Sequence, residues 1–216
     1  MSSFPGSPRL LKGAIALLDP KTGKVQQILP LQYNPDSLTR SLKIKGVGGD
    51  SGDHIEALRL TGPPTETIKV DAEIDATDNL EAGDNQTIQT GLHTTLAALE
   101  LMVYPSSAHL LSNNANASLG TLEIVPLETS LTVFIFGPRR IVPVRITEFS
   151  ITEEAFDPNL NPIRAKLSLG MTVLTVDDLG FDQKRGGVFV TYLQAKEQLA
   201  SLNKPGTLGS LGVGTI

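Results

Sequence analysis

The pattern of apolar and polar positions is clearest between Leu131 and Val176, where two long extended segments flank a turn. In the second segment, apolar residues occupy every other position, and polar residues or glycine fill the positions between them. A period of two places alternate side chains on opposite faces of a strand. The pattern therefore predicts a long strand whose dry face carries Ile163, Ala165, Leu167, Leu169, Met171 and Val173.

The preceding segment shows the same alternation with one interruption. The apolar phase shifts by one residue at Thr147 and Glu148, between the pair Val144 and Ile146 and the pair Phe149 and Ile151. An extra residue in one strand produces this shift, so a β-bulge is predicted here. Between the two segments, residues 157–162 combine proline, asparagine and aspartate, which favour a turn. A long hairpin is expected.

Other segments of the chain also have strand patterns. Leu10–Leu18 and Val25–Tyr33 are β-prone and flank a turn sequence, so they predict a second hairpin. Further strands are expected at Leu38–Lys45, Thr67–Asp75 and Thr121–Val125. The strand at Thr67–Asp75 alternates strictly and has an acidic outer face, which predicts that it is half-buried.

One helix is predicted in this part of the chain, from Asn85 to Tyr104. Its apolar residues recur at spacings of three and four, and Pro105 ends it; they are Ile88, Leu92, Leu96, Leu99 and Val103. Residues 106–120 are rich in Asn, Ser and Ala and are expected to form a surface excursion. Many strands with one packed helix predict an α+β fold that is mainly β, a barrel or sandwich.

The composition changes near Leu179, which predicts a domain boundary. Residues 1–178 would form the β domain, and residues 179–216 would form a C-terminal extension. Within the extension we expect a linker containing Gly180, Gly186 and Gly187, a helix at residues 188–202, and a Gly-rich tail.

Composition and charge exclude several classes of protein. The formal net charge is −5 and the basic residues are dispersed, so nucleic acid is not expected as a partner. The absence of cysteine excludes disulfides and Cys-ligated zinc. The apolar run from Gly13 to Leu18 is too short for a signal core or a spanning helix. We therefore expect no membrane insertion, and synthesis and assembly in the cytoplasm.

The sequence contains no recognisable pattern for catalysis, metal binding or phosphate binding. Its histidines, His54, His93 and His109, lack metal-binding spacing, and the glycine-rich segment at residues 46–52 lacks the Lys-Ser/Thr of a phosphate-binding loop. The acidic stretch at residues 71–84 lacks the order of a calcium loop. Glu153 and Glu154 are adjacent in a strand, so their side chains point to opposite faces. We expect neither catalytic residues nor a metal or cofactor, and do not expect an enzyme.

Three segments together resemble a known family. They are LQYNPDSLTR at Leu31–Arg40, LRLTGPPTETIKVDAEID at Leu58–Asp75, and FIFGPRRIVPVRITEFSITEEAFDPNLNPIRAKLSL in the long hairpin. In this order they are similar to the tube-type proteins of contractile injection systems, and more narrowly to the baseplate members that start the inner tube. The resemblance covers roughly Leu10 to Val176.

The resemblance implies a six-subunit ring that adapts a trimeric spike below to inner tube subunits above. The particle would be phage-tail-like, either released or retained. Baseplate relatives often end in a LysM module, whereas this chain ends in a linker, a helix and a tail. The extension is therefore expected to dock on a baseplate wedge or sheath protein rather than on a glycan.

Two surfaces are candidates for subunit contacts. Arg139 and Arg140 lie in a strand-to-strand turn, where they would either be solvated or contact a neighbouring subunit. Tyr192, Leu199 and Leu202 lie on one stripe of the C-terminal helix. An inner tube subunit proper and a β-rich carbohydrate-binding module remain as alternatives. The second alternative would need exposed aromatic residues, and the chain has no Trp and only three Tyr.

Overall fold

A computed structural model describes residues 11–19, 22–46, 59–118, 130–180, 184–204 and 206. Seven antiparallel strands form one sheet in the order β2-β1-β5-β6-β7-β4-β3. The strands are β1 (Ala14–Leu18), β2 (Val25–Pro30), β3 (Leu38–Lys43), β4 (Thr65–Asp75), β5 (Leu131–Ile135), β6 (Ile141–Phe156) and β7 (Pro162–Val173). The helices are α1 (Thr77–Glu81), α2 (Asn85–Thr90), α3 (His93–Glu100), α4 (Ser107–Ser118), α5 (Val176–Leu179) and α6 (Lys184–Ser201). The predicted α+β class with mainly β content is confirmed.

The sheet is not closed into a barrel, because β2 and β3 end the ladder without pairing with each other in the described residues. Two side-chain amides act at the open seam instead. Gln32 accepts a hydrogen bond from Asp75 N at 2.8 Å and donates one to Asp75 O at 2.6 Å. Asn34 likewise bonds Gly13 N at 2.9 Å and Leu11 O at 2.7 Å. Each side-chain amide bonds backbone groups that a neighbouring strand would otherwise pair. The segment after β2 therefore connects the start of β1 to the end of β4.

The core lies on one face of this sheet, as the alternation predicts. Leu167 and Leu169 are each 1% exposed, and Ile68 and Phe134 are fully buried. Helix α3 covers this face with Leu96 and Leu99, and Leu92, the residue just before the helix, belongs to the same apolar cluster. A smaller cluster on the opposite face of β1 and β5 contains Ala16, Leu131 and Val133.

The predicted bulge is confirmed, since the register of β6 against β7 shifts between Ile146 and Glu148. Glu148 then lies opposite Gly170, which in turn lies opposite Lys69 on β4. Because Gly170 has no side chain, Glu148 reaches across β7 to Lys69, and their charged atoms are 3.0 Å apart. A Cβ at Gly170 would lie 2.8 Å from Glu148 Cβ.

The single helix predicted from Asn85 to Tyr104 is wrong in its extent. The chain forms α2 and α3 instead, separated at Gly91, whose φ is +52°. A Cβ there would lie 2.5 Å from Pro162 O, so only glycine allows this approach to the long hairpin. Ile88 and Val103, which were predicted to lie on the apolar stripe of one helix, are 49% and 44% exposed.

The surface excursion expected at residues 106–120 is also partly wrong, because α4 occupies most of it. None of the twelve residues of α4 is buried, so no apolar stripe marks the helix in the sequence. The strand predicted at Thr121–Val125 lies outside the described residues.

The C-terminal helix is confirmed, but α6 begins at Lys184 and includes Gly186 and Gly187, which were expected in a linker. Phe189 and Tyr192 are 7% and 4% exposed and belong to the main core cluster. The boundary between residues 1–178 and 179–216 stays a prediction.

Candidate subunit interfaces

The edge strand β2 carries no charge. Its sequence, VQQILP, contains no ionisable residue, and Val25 and Ile28 are each 57% exposed. Natural sheet edges usually carry charges or bulges that prevent pairing with another chain. β2 has no such charge, but its register against β1 shifts at Gln26, so only the part from Gln27 onward is a regular edge that can accept a further strand.

Backbone geometry shows which groups this edge offers. Leu31 N–H donates to Gly13 O at 2.8 Å, so strand alternation turns the backbone groups of Ile28 away from β1, and the register shift at Gln26 ends this alternation. Pro30 occupies the next outward position, where its missing N–H breaks no bond within the sheet. The regular part of this edge therefore offers one donor–acceptor pair, at Ile28, followed by a proline.

The opposite edge, β3, differs in charge. Leu42 is 48% and Ile44 73% exposed, and Lys43 lies between them. Since Ala76 N–H donates to Ile163 O of β7, alternation along β4 leaves the backbone groups of Arg40 and Leu42 facing outward from β3. Within the part of the chain that the structure describes, both ends of the sheet thus have outward backbone groups that pair with no strand.

The structure places Arg139 and Arg140 in the tight turn between β5 and β6. Arg140 N–H bonds Gly137 O at 3.2 Å, and the Arg140 guanidinium lies 5.8 Å from the centre of the Phe136 ring. Arg139 is exposed, and within the described part of the chain it has no hydrogen-bond or charged partner. Arg139 is therefore available to a neighbouring molecule, while Arg140 is partly held by its own subunit.

The predicted stripe on the C-terminal helix is divided by the fold. Leu199 and Leu202 are 39% and 75% exposed, so they remain accessible. Tyr192 is buried against the chain's own sheet, and its hydroxyl donates to Glu66 Oε1 at 3.0 Å. Tyr192 thus packs within its own subunit, and only Leu199 and Leu202, at the C-terminal end of the stripe, are exposed to a partner.

The partners of Tyr192 form a buried charged cluster that the sequence reasoning missed. Glu66 is 3% exposed on the dry face of β4. Arg40 Nη2 lies 2.6 Å from its Oε1, and Lys196 Nζ lies 2.9 Å from its Oε2. Lys196 Nζ also lies 4.1 Å from the centre of the Tyr192 ring. The cluster connects β3, β4 and α6.

Burial and charge oppose each other at Glu66. Desolvation alone would raise the pKa of its carboxyl, but hydrogen bonds from Lys196 and Arg40 and the charge of Lys196 hold the pKa below its ordinary value of 4.5. Burial, in contrast, raises the pKa of the Tyr192 hydroxyl. Glu66 is therefore ionised at neutral pH, and its two cations compensate its charge.

The remaining candidate residues have structural contacts. Asp84 caps α2 by accepting from Thr87 N, and Asp75 accepts from Arg164 Nε at 3.0 Å. His109 lies 3.0 Å from the Asn113 amide within α4, and His54 is outside the described residues. In the described part of the chain, no group of three or more His, Cys, Asp or Glu side chains is arranged to hold a metal. No described helix is long and apolar enough to cross a membrane.

No protein-family model matches the chain, and no curated protein is significantly similar to it.

Proposed function

We propose that this protein is a structural subunit of a contractile injection system baseplate, which forms a ring that adapts the spike to the inner tube and starts tube assembly. The observation that supports this proposal is the open sheet, in which the end strands β2 and β3 each pair with one strand only among the described residues. An edge at each end lets one copy join the next in the same way around a closed ring.

Strand direction favours a ring over a two-fold dimer when both edges are used. Because seven antiparallel strands are an odd number, β2 and β3 run in the same direction. Pairing β2 of one copy with β3 of the next is then a parallel, head-to-tail joint that can repeat. Pairing β2 with a second β2 would be antiparallel and would end after two copies. The charge-free β2 and the lysine-bearing β3 suit unlike partners better than like ones.

The other proposed partners follow from the resemblance in sequence. One face of the ring would meet the spike and the other would meet the first inner tube subunits. The exposed Leu199 and Leu202 leave the end of α6 free to contact a wedge or sheath protein. An inner tube subunit proper is the nearest alternative, since the same two edges would serve a ring that repeats along a tube.

A proline at the β2 edge tests the ring directly. Ile28→Pro removes an outward N–H without breaking a bond to β1, so the isolated subunit should keep its melting midpoint within about 3 °C. Ile28→Val keeps the N–H and serves as the matched control. Negative-stain imaging and sedimentation should show discrete rings for the wild type and the control, and monomers for Ile28→Pro.

Other particle forms would decide against the proposal. Long tubes formed by the purified wild-type chain would favour the inner tube subunit. Rings that survive Ile28→Pro with unchanged stability would exclude β2 as the joint.

A further inference from the structure

Helix α6 is attached to the sheet by side chains alone. Among the described residues, no backbone hydrogen bond joins α6 to a strand. Strand β7, in contrast, pairs with β6 on one side and with β4 on the other. Because a helix satisfies most of its backbone groups internally, α6 can leave the sheet without breaking a hydrogen bond between strands.

The attachment of α6 is confined to the part of the helix before Glu197. Phe189 and Tyr192 are the only buried side chains in the part of α6 whose side chains the structure describes, and they are 7% and 4% exposed. From Glu197 to Ser201 every residue is exposed. Two aromatic side chains and one charged cluster therefore supply most of the attachment of an 18-residue helix.

The charged cluster gives α6 a specific position rather than a strong attachment. The Tyr192 hydroxyl donates to Glu66 Oε1 at 3.0 Å, and Lys196 Nζ lies 2.9 Å from Glu66 Oε2. The side chains of Arg40 and Lys196 are 28% and 35% exposed, so water reaches both cations in the docked state. A buried ion pair often contributes less stability than apolar residues of the same volume, and its best-attested roles are register and switching.

Gly180 provides a point about which the chain can turn before α6. Helix α5, just before it, is fixed to the end of β7, because Leu174 N donates to Pro143 O at 2.9 Å and Thr175 N donates to Asp178 Oδ2 at 2.9 Å. Gly180 has a φ of +72°, and no described atom lies within 4 Å of the position that its Cβ would take. A glycine in open space can change its backbone angles without a clash.

We propose that α6 is a strap that undocks from the sheet as one unit, by a change of direction at Gly180, while the seven-stranded sheet stays folded. In the docked state Phe189 and Tyr192 are covered, whereas Leu199 and Leu202 are exposed. These four residues lie on one stripe of the helix, which only the open state makes fully accessible. The docked state is therefore autoinhibitory toward any partner that binds the whole stripe.

Hydrogen exchange of the full chain tests whether α6 opens independently. Amides of residues 188–196 should exchange at least about 100-fold faster than those of β7, and they should share one opening constant. Their exchange should also depend less steeply on low concentrations of urea than that of β7, because undocking of α6 exposes less surface than unfolding of the sheet.

Gly170→Ala distinguishes undocking from unfolding of the whole chain. The new Cβ would lie 2.8 Å from Glu148 Cβ, on the strand pair β6–β7, so the variant destabilises the sheet in both the docked and the open states. Exchange in β7 should therefore accelerate at least about fivefold, while exchange in α6 stays within about twofold of the wild type.

Tyr192→Phe tests whether the charged cluster holds the helix. The change removes the hydroxyl that donates to Glu66 Oε1 but keeps the aromatic ring, so exchange in α6 should accelerate at least about fivefold. Gln194→Ala is the matched control, because Gln194 is an exposed residue of the same helix. Exchange in α6 should then stay within about twofold of the wild type.

Four results would overturn the proposal. In the wild type, equal rates and equal urea dependence in α6 and β7 would show that α6 leaves only when the sheet unfolds, and so would equal acceleration of both by Gly170→Ala. Exchange that becomes steadily faster toward Ser201 without a shared opening constant would be fraying of the helix end. Unchanged exchange of α6 in Tyr192→Phe would show that the cluster does not hold the helix. The proposal does not rest on the baseplate role, and the Ile28→Pro experiment is judged separately.

Discussion

Glu66 is a carboxylate on a strand face that otherwise buries apolar side chains. It shares this face with Ile68 and Val70, which are 0% and 1% exposed. A buried carboxylate is tolerated only if donors replace its water, and Arg40, Tyr192 and Lys196 do so here. The residue therefore fixes where α6 docks on the sheet.

Replacing Glu66 tests how much this cluster contributes. Glu66→Gln keeps the size but removes the charge, so Arg40 and Lys196 lose their ionic partner. Since both cations are partly exposed, we expect a loss of about 1 to 3 kcal/mol in the free energy of unfolding. Glu148→Gln is the control, because its pair with Lys69 is exposed and should contribute less than about 0.5 kcal/mol.

The pH dependence of stability tests whether Glu66 stabilises the fold through its charge. The pKa of Glu66 is lowered in the folded state, so its stabilisation is present above about pH 4.5 and is lost as the pH falls through the lowered value. Urea unfolding of the wild type between pH 6 and pH 3 should include this loss, whereas Glu66→Gln should show a shallower decline. Parallel curves for the two proteins would show that Glu66 does not act through its charge.

At the scale of elements, the long hairpin combines a bulge and a glycine, and an exposed ion pair crosses one strand between them. The bulge at Glu148 restores the apolar phase of β6, so Phe149 and Ile151 rejoin the dry face. Gly170 leaves the space through which Glu148 reaches Lys69.

Gly170→Ala should therefore be destabilising despite the small size of the added methyl group. The new Cβ would lie 2.8 Å from Glu148 Cβ, which cannot rotate away, so the strand must shift at a cost of about 1 to 3 kcal/mol. Gly187→Ala, in α6 with no atom within 4 Å of the new Cβ, should instead stabilise by roughly 0.5 to 1 kcal/mol. Chemical denaturation of both variants gives the comparison, and equal effects would contradict this account.

Alternation in the sequence predicted β4, β6 and β7, because successive side chains of these strands face the core and the solvent in turn. β1 and β2 do not alternate in this way and were predicted from β-prone runs on either side of a turn. The helices were harder to predict. The break at Gly91 depends on Pro162, which is distant in sequence, and α4 has no apolar stripe to reveal it. Glu66 could have been found by extending the alternation of β4 back one step, which places a carboxylate on the dry face and requires a cation opposite it.

At the scale of the whole molecule, α6 belongs physically to the sheet even though it follows a change in composition. Phe189 and Tyr192 enter the main core, and Lys196 reaches Glu66 from the next turn. The exposed features that suit partners are elsewhere: the edges of β2 and β3, the turn at Arg139 and the end of α6.

Removing α6 tests whether residues 1–178 are an independent domain. Deleting residues 181–216 takes two large aromatic side chains out of the core and leaves Glu66 without Lys196 and Tyr192. Losing even one such aromatic costs about 3 to 5 kcal/mol, so the melting midpoint should fall by on the order of 10 °C. Deleting only residues 205–216 spares α6 and should leave the midpoint unchanged. If the longer deletion also melts like the intact chain, α6 contributes nothing to the core, and its apolar residues are free for a partner.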